Sequence, residues 1–353
     1  MPSRFARITL ALSLATALAL AWVPGLAAAD PGTQGIAGRL TLFGPPAQGL
    51  LDASTPRLTY AFDARAGQPI SLRATAHAAG LLLDLALAGP DGAILARSAT
   101  ATDPDTSVID AFMPPVDGTY YAAVSALSGS AGAFDLALLG GYADLAVADD
   151  FSSADDALHL SWTPFVSVDA AADVVNGALG IQVINEGRLG FFEPDGWTAY
   201  RDLYIQADFA IEESPGYHEY GFALRNAPDA DSFYTVLFSS EGDWALFYFD
   251  GAWHVLQDWT YSPAIDGADT SPCISVFVAG STFRLYFNGR EVGAITDVQF
   301  FAREGGFGIV AATSPEDDGV LIAYVDNLTV TTPATPYGAL VSLPPGSATV
   351  TTP

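Results

Sequence analysis

The sequence predicts an all-β protein: two β-sandwich (jelly-roll-like) domains in tandem after a signal peptide. Three observations carry this. Short runs rich in Val, Ile, Leu, Phe and Tyr recur throughout, punctuated by Gly, Asp, Pro and Ser at roughly ten-residue intervals, which is strand-and-turn spacing. Helical periodicity is scarce, and the only helical pieces expected are short, one or two turns at most, such as Asp195 to Arg201. Composition also shifts at Gly140-Gly141: residues 36–140 hold no Trp, whereas Trp162, Trp197, Trp244, Trp253 and Trp259 follow.

Residues 1–29 read as the signal peptide. Arg4 and Arg7 form a basic start, Ile8 to Val23 an apolar stretch, and Ala27-Ala28-Ala29 a small-residue cleavage site before Asp30. The apolar stretch is shorter than the ~20 residues a membrane span needs, and no Cys marks a lipid attachment point. The expected location is therefore outside the cytoplasm, either secreted, at the cell surface or in the periplasm. No membrane span is expected once the signal is removed.

Within 36–140, Tyr60-x-Phe62 and Leu83-Asp84-Leu85-x-Leu87 alternate as strands, with turns at Ala66-Gly67 and Asp91-Gly92. Asp117-Gly118 opens "DGTYYAAVSALSGSAGAFDLALLG". There Tyr120, Ala122 and Val124 precede a Ser/Gly loop, and Phe134, Leu136 and Leu138 follow it. Two runs of period 2 around such a loop read as paired antiparallel strands. Together with Ala66-Gly67-Gln68, Asp117-Gly118-Thr119-Tyr120-Tyr121 and Gly132-x-Phe134-x-Leu136, these residues resemble the bacterial pre-peptidase C-terminal domain. That resemblance implies an accessory sandwich without catalytic residues.

Residues 148–332 carry "DDFSS", "VVNGALGI", "YGFALRNAPDADSFYTVLFSSEGDWALF", "FRLYFNGREVG", "GGFGIVAAT" and "AYVDNLTV". Asn176-Gly177 and Asn288-Gly289 are type I′ hairpin signals. The segment resembles concanavalin A-like (laminin G/glucanase-type) sandwiches. That resemblance implies carbohydrate binding, glycoside hydrolysis or adhesion, because one fold hosts all three. Residues 333–353 are Thr/Pro-rich and read as an extended tail.

Chemistry is sparse by comparison. Thirteen basic residues against 40 acidic ones give a formal charge of −27, which repels phosphate backbones and excludes nucleic acid as a partner. Cys273 is the only cysteine, so no internal disulfide exists, and its apolar context reads as a buried thiol. The resembling glucanases alternate Glu-x-Asp-x-x-Glu on a strand. The nearest match, Glu241-Gly242-Asp243-Trp244-Ala245-Leu246, lacks the last acid and sits at a turn. No Gly-x-Ser-x-Gly elbow is present, and the four His are scattered; His218 is the most notable, near Glu219 and Arg225.

Two constellations remain. Asp149-Asp150 open the second domain and Asp326 closes it. If the first and last strands are neighbours, these carboxylates suit a structural Ca²⁺; otherwise they only end a linker and face solvent. Trp244, Tyr248, Trp253 and Trp259 cluster, with Arg225 nearby. They offer faces for sugar C–H stacking, or, where they alternate along a strand, core packing. The expectation is an exported, non-catalytic protein that binds a polysaccharide or cell-envelope glycan through the second domain. The alternatives are a glycosidase on the same sandwich and a structural or adhesive surface protein.

Overall fold

The computed structural model describes residues 35–98, 105–127, 130–152, 158–185, 187–196, 198–214, 216–227, 231–299, 301–314, 319–334 and 350–351. The expected signal peptide and most of the tail lie outside the described residues. Strands dominate and no α-helix occurs among the described residues. Asp195-Gly196, in the expected helical piece, form a turn instead. The fold is all-β, as expected.

The first sandwich is built from β1 (Gly38–Arg39), β2 (Ala47–Leu51), β3 (Arg57–Ala64), β4 (Ile70–Ala76), β5 (Leu83–Ala88), β6 (Ile94–Arg97), β7 (Thr106–Phe112), β8 (Gly118–Ala126) and β9 (Gly132–Gly140). They form a five-stranded sheet, β1-β3-β8-β5-β6, and a four-stranded sheet, β2-β9-β4-β7. Alternation places Tyr60, Phe62, Leu85, Leu87, Tyr120 and Val124 from one sheet against Leu72, Ala74, Phe134 and Leu136 from the other. The expected pairing of Tyr120–Val124 with Phe134–Leu138 does not occur. β8 pairs with β3 and β5, whereas β9 pairs with β2 and β4. Both runs have an apolar side, and facing each other across the core buries both sides, which edge-to-edge pairing does not do.

The second sandwich contains β10 (Asp144–Asp149), β11 (Phe165–Val166), β12 (Ala170–Val175), β13 (Ala178–Val183), β14 (Leu189–Phe192), β15 (Leu203–Glu213), β16 (His218–Ala227), β17 (Ser232–Ser239), β18 (Asp243–Phe249) and β19 (Trp253–Tyr261). It continues with β20 (Cys273–Ala279), β21 (Thr282–Phe287), β22 (Arg290–Thr296), β23 (Gly306–Thr313), β24 (Leu321–Thr332) and β25 (Val350–Thr351). One sheet has nine strands, β11-β12-β13-β24-β15-β20-β21-β22, with β10 on the free half of β24. The other has seven, β19-β18-β17-β16-β23-β14-β25. The first and last long strands are indeed neighbours, Asp149 lying opposite Leu328. Both Asn-Gly pairs make two-residue hairpins with φ of 53° and 79° at Asn176-Gly177, and 48° and 73° at Asn288-Gly289, as type I′ geometry demands.

The modules are clamped together. Tyr142, Tyr204, Phe277 and Tyr286 form a separate apolar cluster with Phe43, Ala111 and Met113. Tyr142 stacks on Phe277 at 4.8 Å and donates its hydroxyl to Val278 O. Tyr286 donates to Gly67 O, and the Arg65 guanidinium donates to Asn288 O at the hairpin tip. Gly141, at φ 68°, lies so close to Tyr204 that an added Cβ would come within 2.0 Å of its side chain.

Candidate functional site

Each strand of the seven-stranded sheet sorts its side chains by parity. In β17, Tyr234, Val236 and Phe238 enter the inter-sheet core, while Phe233, Thr235 and Leu237 face outward. In β18, Trp244, Leu246 and Tyr248 go inward, leaving Asp243, Ala245, Phe247 and Phe249 outward. In β16, Tyr220, Phe222 and Leu224 go inward, and Glu219 and Ala223 outward. The outward face thus has a buried floor of Ala223, Leu237, Val310 and Ala312, against which Phe247, Phe249, Trp253 and Trp259 are only partly buried.

Those aromatic rings support one another edge-on. Trp253 stands 81° to Phe247 at 6.2 Å and 87° to Phe233 at 6.1 Å. Trp259 stands 67° to Phe247 at 6.1 Å and 82° to Tyr217 at 6.3 Å. Trp253 also meets Phe249 at 5.0 Å and 54°, and these ring contacts hold both indoles while leaving them only partly buried. On the same face, the Thr235 hydroxyl is fully buried without a partner among the described residues.

Two carboxyls border the shelf. Burial raises the Glu219 pKa to about 7, partly offset by a hydrogen bond from the Tyr217 hydroxyl. Burial also raises the Glu193 pKa to about 7, with the Asn226 amide donating to Oε1. Glu219 lies opposite Ser239, beyond which the hairpin brings Asp243; Tyr217 feels both acids. Glu193 follows β14 at the level of Ala223, two strands across and four residues along from Glu219. Strand spacings put these two glutamates about 16 Å apart, too far to act on one bond.

Of the expected ligand residues, Trp253 and Trp259 lie on this face, and three do not. Trp244 (4 % exposed) and Tyr248 (5 %) point into the core, Tyr248 stacking on Phe301 at 4.6 Å. Their alternation marked a shared side, and that side is the interior. Arg225 is 1 % exposed, because a bulge at φ 53° turns it inward. It donates to Arg201 O (2.7 Å), Ala302 O (3.0 Å) and Gly280 O, and stands over Phe283 at 5.4 Å. It ties three loops together and reaches no ligand surface. His218 is likewise buried, its ring nitrogen 2.6 Å from Ser214 Oγ.

The acidic set lies on the opposite sheet. Asp149 is 3 % exposed and saturated by nitrogen donors: Phe151 N at 2.9 Å, and Leu160 N and Trp162 Nε1 at 3.1 Å. Asp150 caps Ser152, and Asp326 accepts from Asn327 N at 2.7 Å while facing Asp208 across the strands. No group of three or more His, Cys, Asp or Glu converges as a metal site among the described residues. Cys273 is half-buried, and burial raises its thiol pKa.

The sequence signalled the two indoles but not Glu219, Glu193 or Tyr217 as a group. Their common face depends on which strands pair, and of the three only Glu219, within "YHEYGF", stands out in the sequence.

No family model and no curated protein matches the chain. Among solved structures, it is similar to a carbohydrate-binding module, CBM66, from Bacillus subtilis (21 % identity, 49 % of this chain, 97 % of that chain, TM-score 0.37). It is also similar to a β-glucanase from Bacillus licheniformis (9 %, 54 % and 99 %, TM-score 0.41). A third similarity is to the pre-peptidase C-terminal domain of a collagenase from Bacillus anthracis (14 %, 30 % and 97 %, TM-score 0.26).

Proposed function

We propose that the outward face of the seven-stranded sheet binds a polysaccharide or cell-envelope glycan, with Trp253 and Trp259 as stacking platforms. The supporting observation is the pair of half-buried indoles held edge-on by Phe247, with Glu219, Glu193 and Asn226 at the border for hydroxyl contacts. Flat apolar faces beside fixed polar groups match the two-sided chemistry of a sugar ring. The protein acts after export, and the first sandwich serves as a fixed base for the binding module.

The test is a polysaccharide panel in affinity electrophoresis or calorimetry. Retardation by at least one polymer, reduced more than about tenfold by Trp259→Ala or Trp253→Ala, supports the proposal. Absence of binding across the panel refutes it.

One observation favours a second reading. Glu219 and Asp243 share a row two strands apart, about 10 Å by sheet spacing, close to the carboxyl separation of inverting glycosidases. Release of reducing ends that stops in both Glu219→Gln and Asp243→Asn would favour hydrolysis.

A further inference from the structure

Charge on the outward face is one-sided. Its polar border holds Glu219, Glu193 and Asp243, and the six long strands of the sheet contain only three basic side chains. Arg225 is turned inward onto carbonyl oxygens. His218 is buried beside Ser214 and stacked on Tyr220. His254 packs on Tyr248 and Phe301 and pairs with Asp250 at 2.8 Å. None offers a cation to a ligand over the shelf.

The corner nearest Trp259 is the most acceptor-rich. Tyr217 abuts the indole, and its hydroxyl is already committed to Glu219. Ser239 Oγ accepts the backbone N–H groups of Glu241 and Asp243 at 3.2 Å each. The Glu219 and Asp243 carboxyls flank that serine. A sugar stacked on Trp259 therefore presents its edge to two carboxyls, with no basic side chain of these strands turned toward it. An ammonium group answers this arrangement best: it supplies three donors, forms charge-assisted hydrogen bonds to carboxylates, and gains from the adjacent aromatic ring. A carboxylate or sulfate placed there meets like charge.

Building on the glycan-binding reading, we infer that Tyr217, Glu219 and Asp243 beside Trp259 form a recognition point for an ammonium group. The preferred ligand class is a glycan carrying free amino sugars, and polyanionic glycans are excluded. The half-dry setting of Glu219 strengthens the pairing, since an arriving cation shifts the carboxyl to its ionised form. Binding then releases a proton in slightly acidic buffer.

The test compares three forms of one β-1,4-linked glucosamine hexamer (free amine, N-acetylated and N-succinylated) by calorimetry with the full chain at about 0.15 M salt, which screens diffuse charge. The amine form should bind roughly tenfold tighter than the acetylated one, as expected for one added charge-assisted contact, and the succinylated form weakest. Heats in two buffers of different ionisation enthalpy should reveal proton release for the amine form alone. Glu219→Gln should abolish both the preference and the proton release, and Asp243→Asn should reduce the preference. Glu241→Gln, an equal charge change at the exposed hairpin tip, should leave it intact. Equal binding of the amine and acetylated forms, with sensitivity to Trp259→Ala, overturns this inference and leaves glycan binding standing. A preference that survives Glu219→Gln, or falls equally in Glu241→Gln, assigns it to the chain's overall charge and overturns the inference. No binding of any glycan removes both.

Discussion

Glu219 and Glu193 are carboxyls that the fold holds away from water, and that makes stability depend on pH in a definite direction. Both have folded pKa values of about 7, above the unfolded glutamate value of about 4.3. The folded chain therefore binds these protons more tightly than the unfolded chain. The associated stability is complete below the unfolded value and is lost as pH rises through about 7. The melting temperature should fall between pH 5 and pH 8, and Glu219→Gln with Glu193→Gln should flatten that fall in thermal melts. At this scale the sequence revealed parity but not direction. Trp244-x-Leu246-x-Tyr248 share a side of β18 by period 2, yet only the packing of the nine-stranded sheet makes that side the interior. Trp253 and Trp259 sit on an edge strand with two register shifts, so no simple alternation placed them.

Individual elements carry their own constraints. The β16 bulge exists around Arg225, whose guanidinium satisfies carbonyls of three loops. Arg225→Leu should cost at least ~3 kcal/mol in denaturant unfolding, because those carbonyls lose charge-assisted donors together. Arg225→Lys should restore little, since an ammonium cannot reproduce the planar fork. Nothing in "LRNAPDADSF" announced this, because a bulge depends on the strand opposite. The Asn-Gly hairpins were legible, since only residues tolerant of positive φ fit there. On β24, Asp326 faces Asp208, and the carboxylates of Asp208, Asp150 and Asp149 add to burial in raising its pKa. Asp326→Asn should therefore raise the melting temperature in chelator-containing buffer. A calcium-dependent rise in the native protein, absent from this variant, would instead support the structural Ca²⁺ read from Asp149, Asp150 and Asp326.

Across the whole molecule, the contact between sandwiches is the feature that composition did not disclose. Gly140-Gly141 read as a seam, and a seam suggests a spacer. Instead Tyr142 is buried beside Phe277, Thr331 Oγ1 donates to Gly140 O, and β10 is stitched onto β24. Calorimetry of the native chain should show one cooperative transition. Tyr142→Ala, which removes the stacked ring and its hydrogen bond, should destabilise by about 3 kcal/mol and split that transition in two. Two transitions in the native chain would disprove the coupling. The sequence by itself determined the strand content, the turn positions and which residues alternate together, because these follow from local backbone sterics and period-2 burial. Only the tertiary structure decided which alternating set faced the core, which strands became neighbours, and which aromatic and acidic side chains met on one face. Those outcomes depend on contacts between residues far apart in the chain, and local pattern does not encode them.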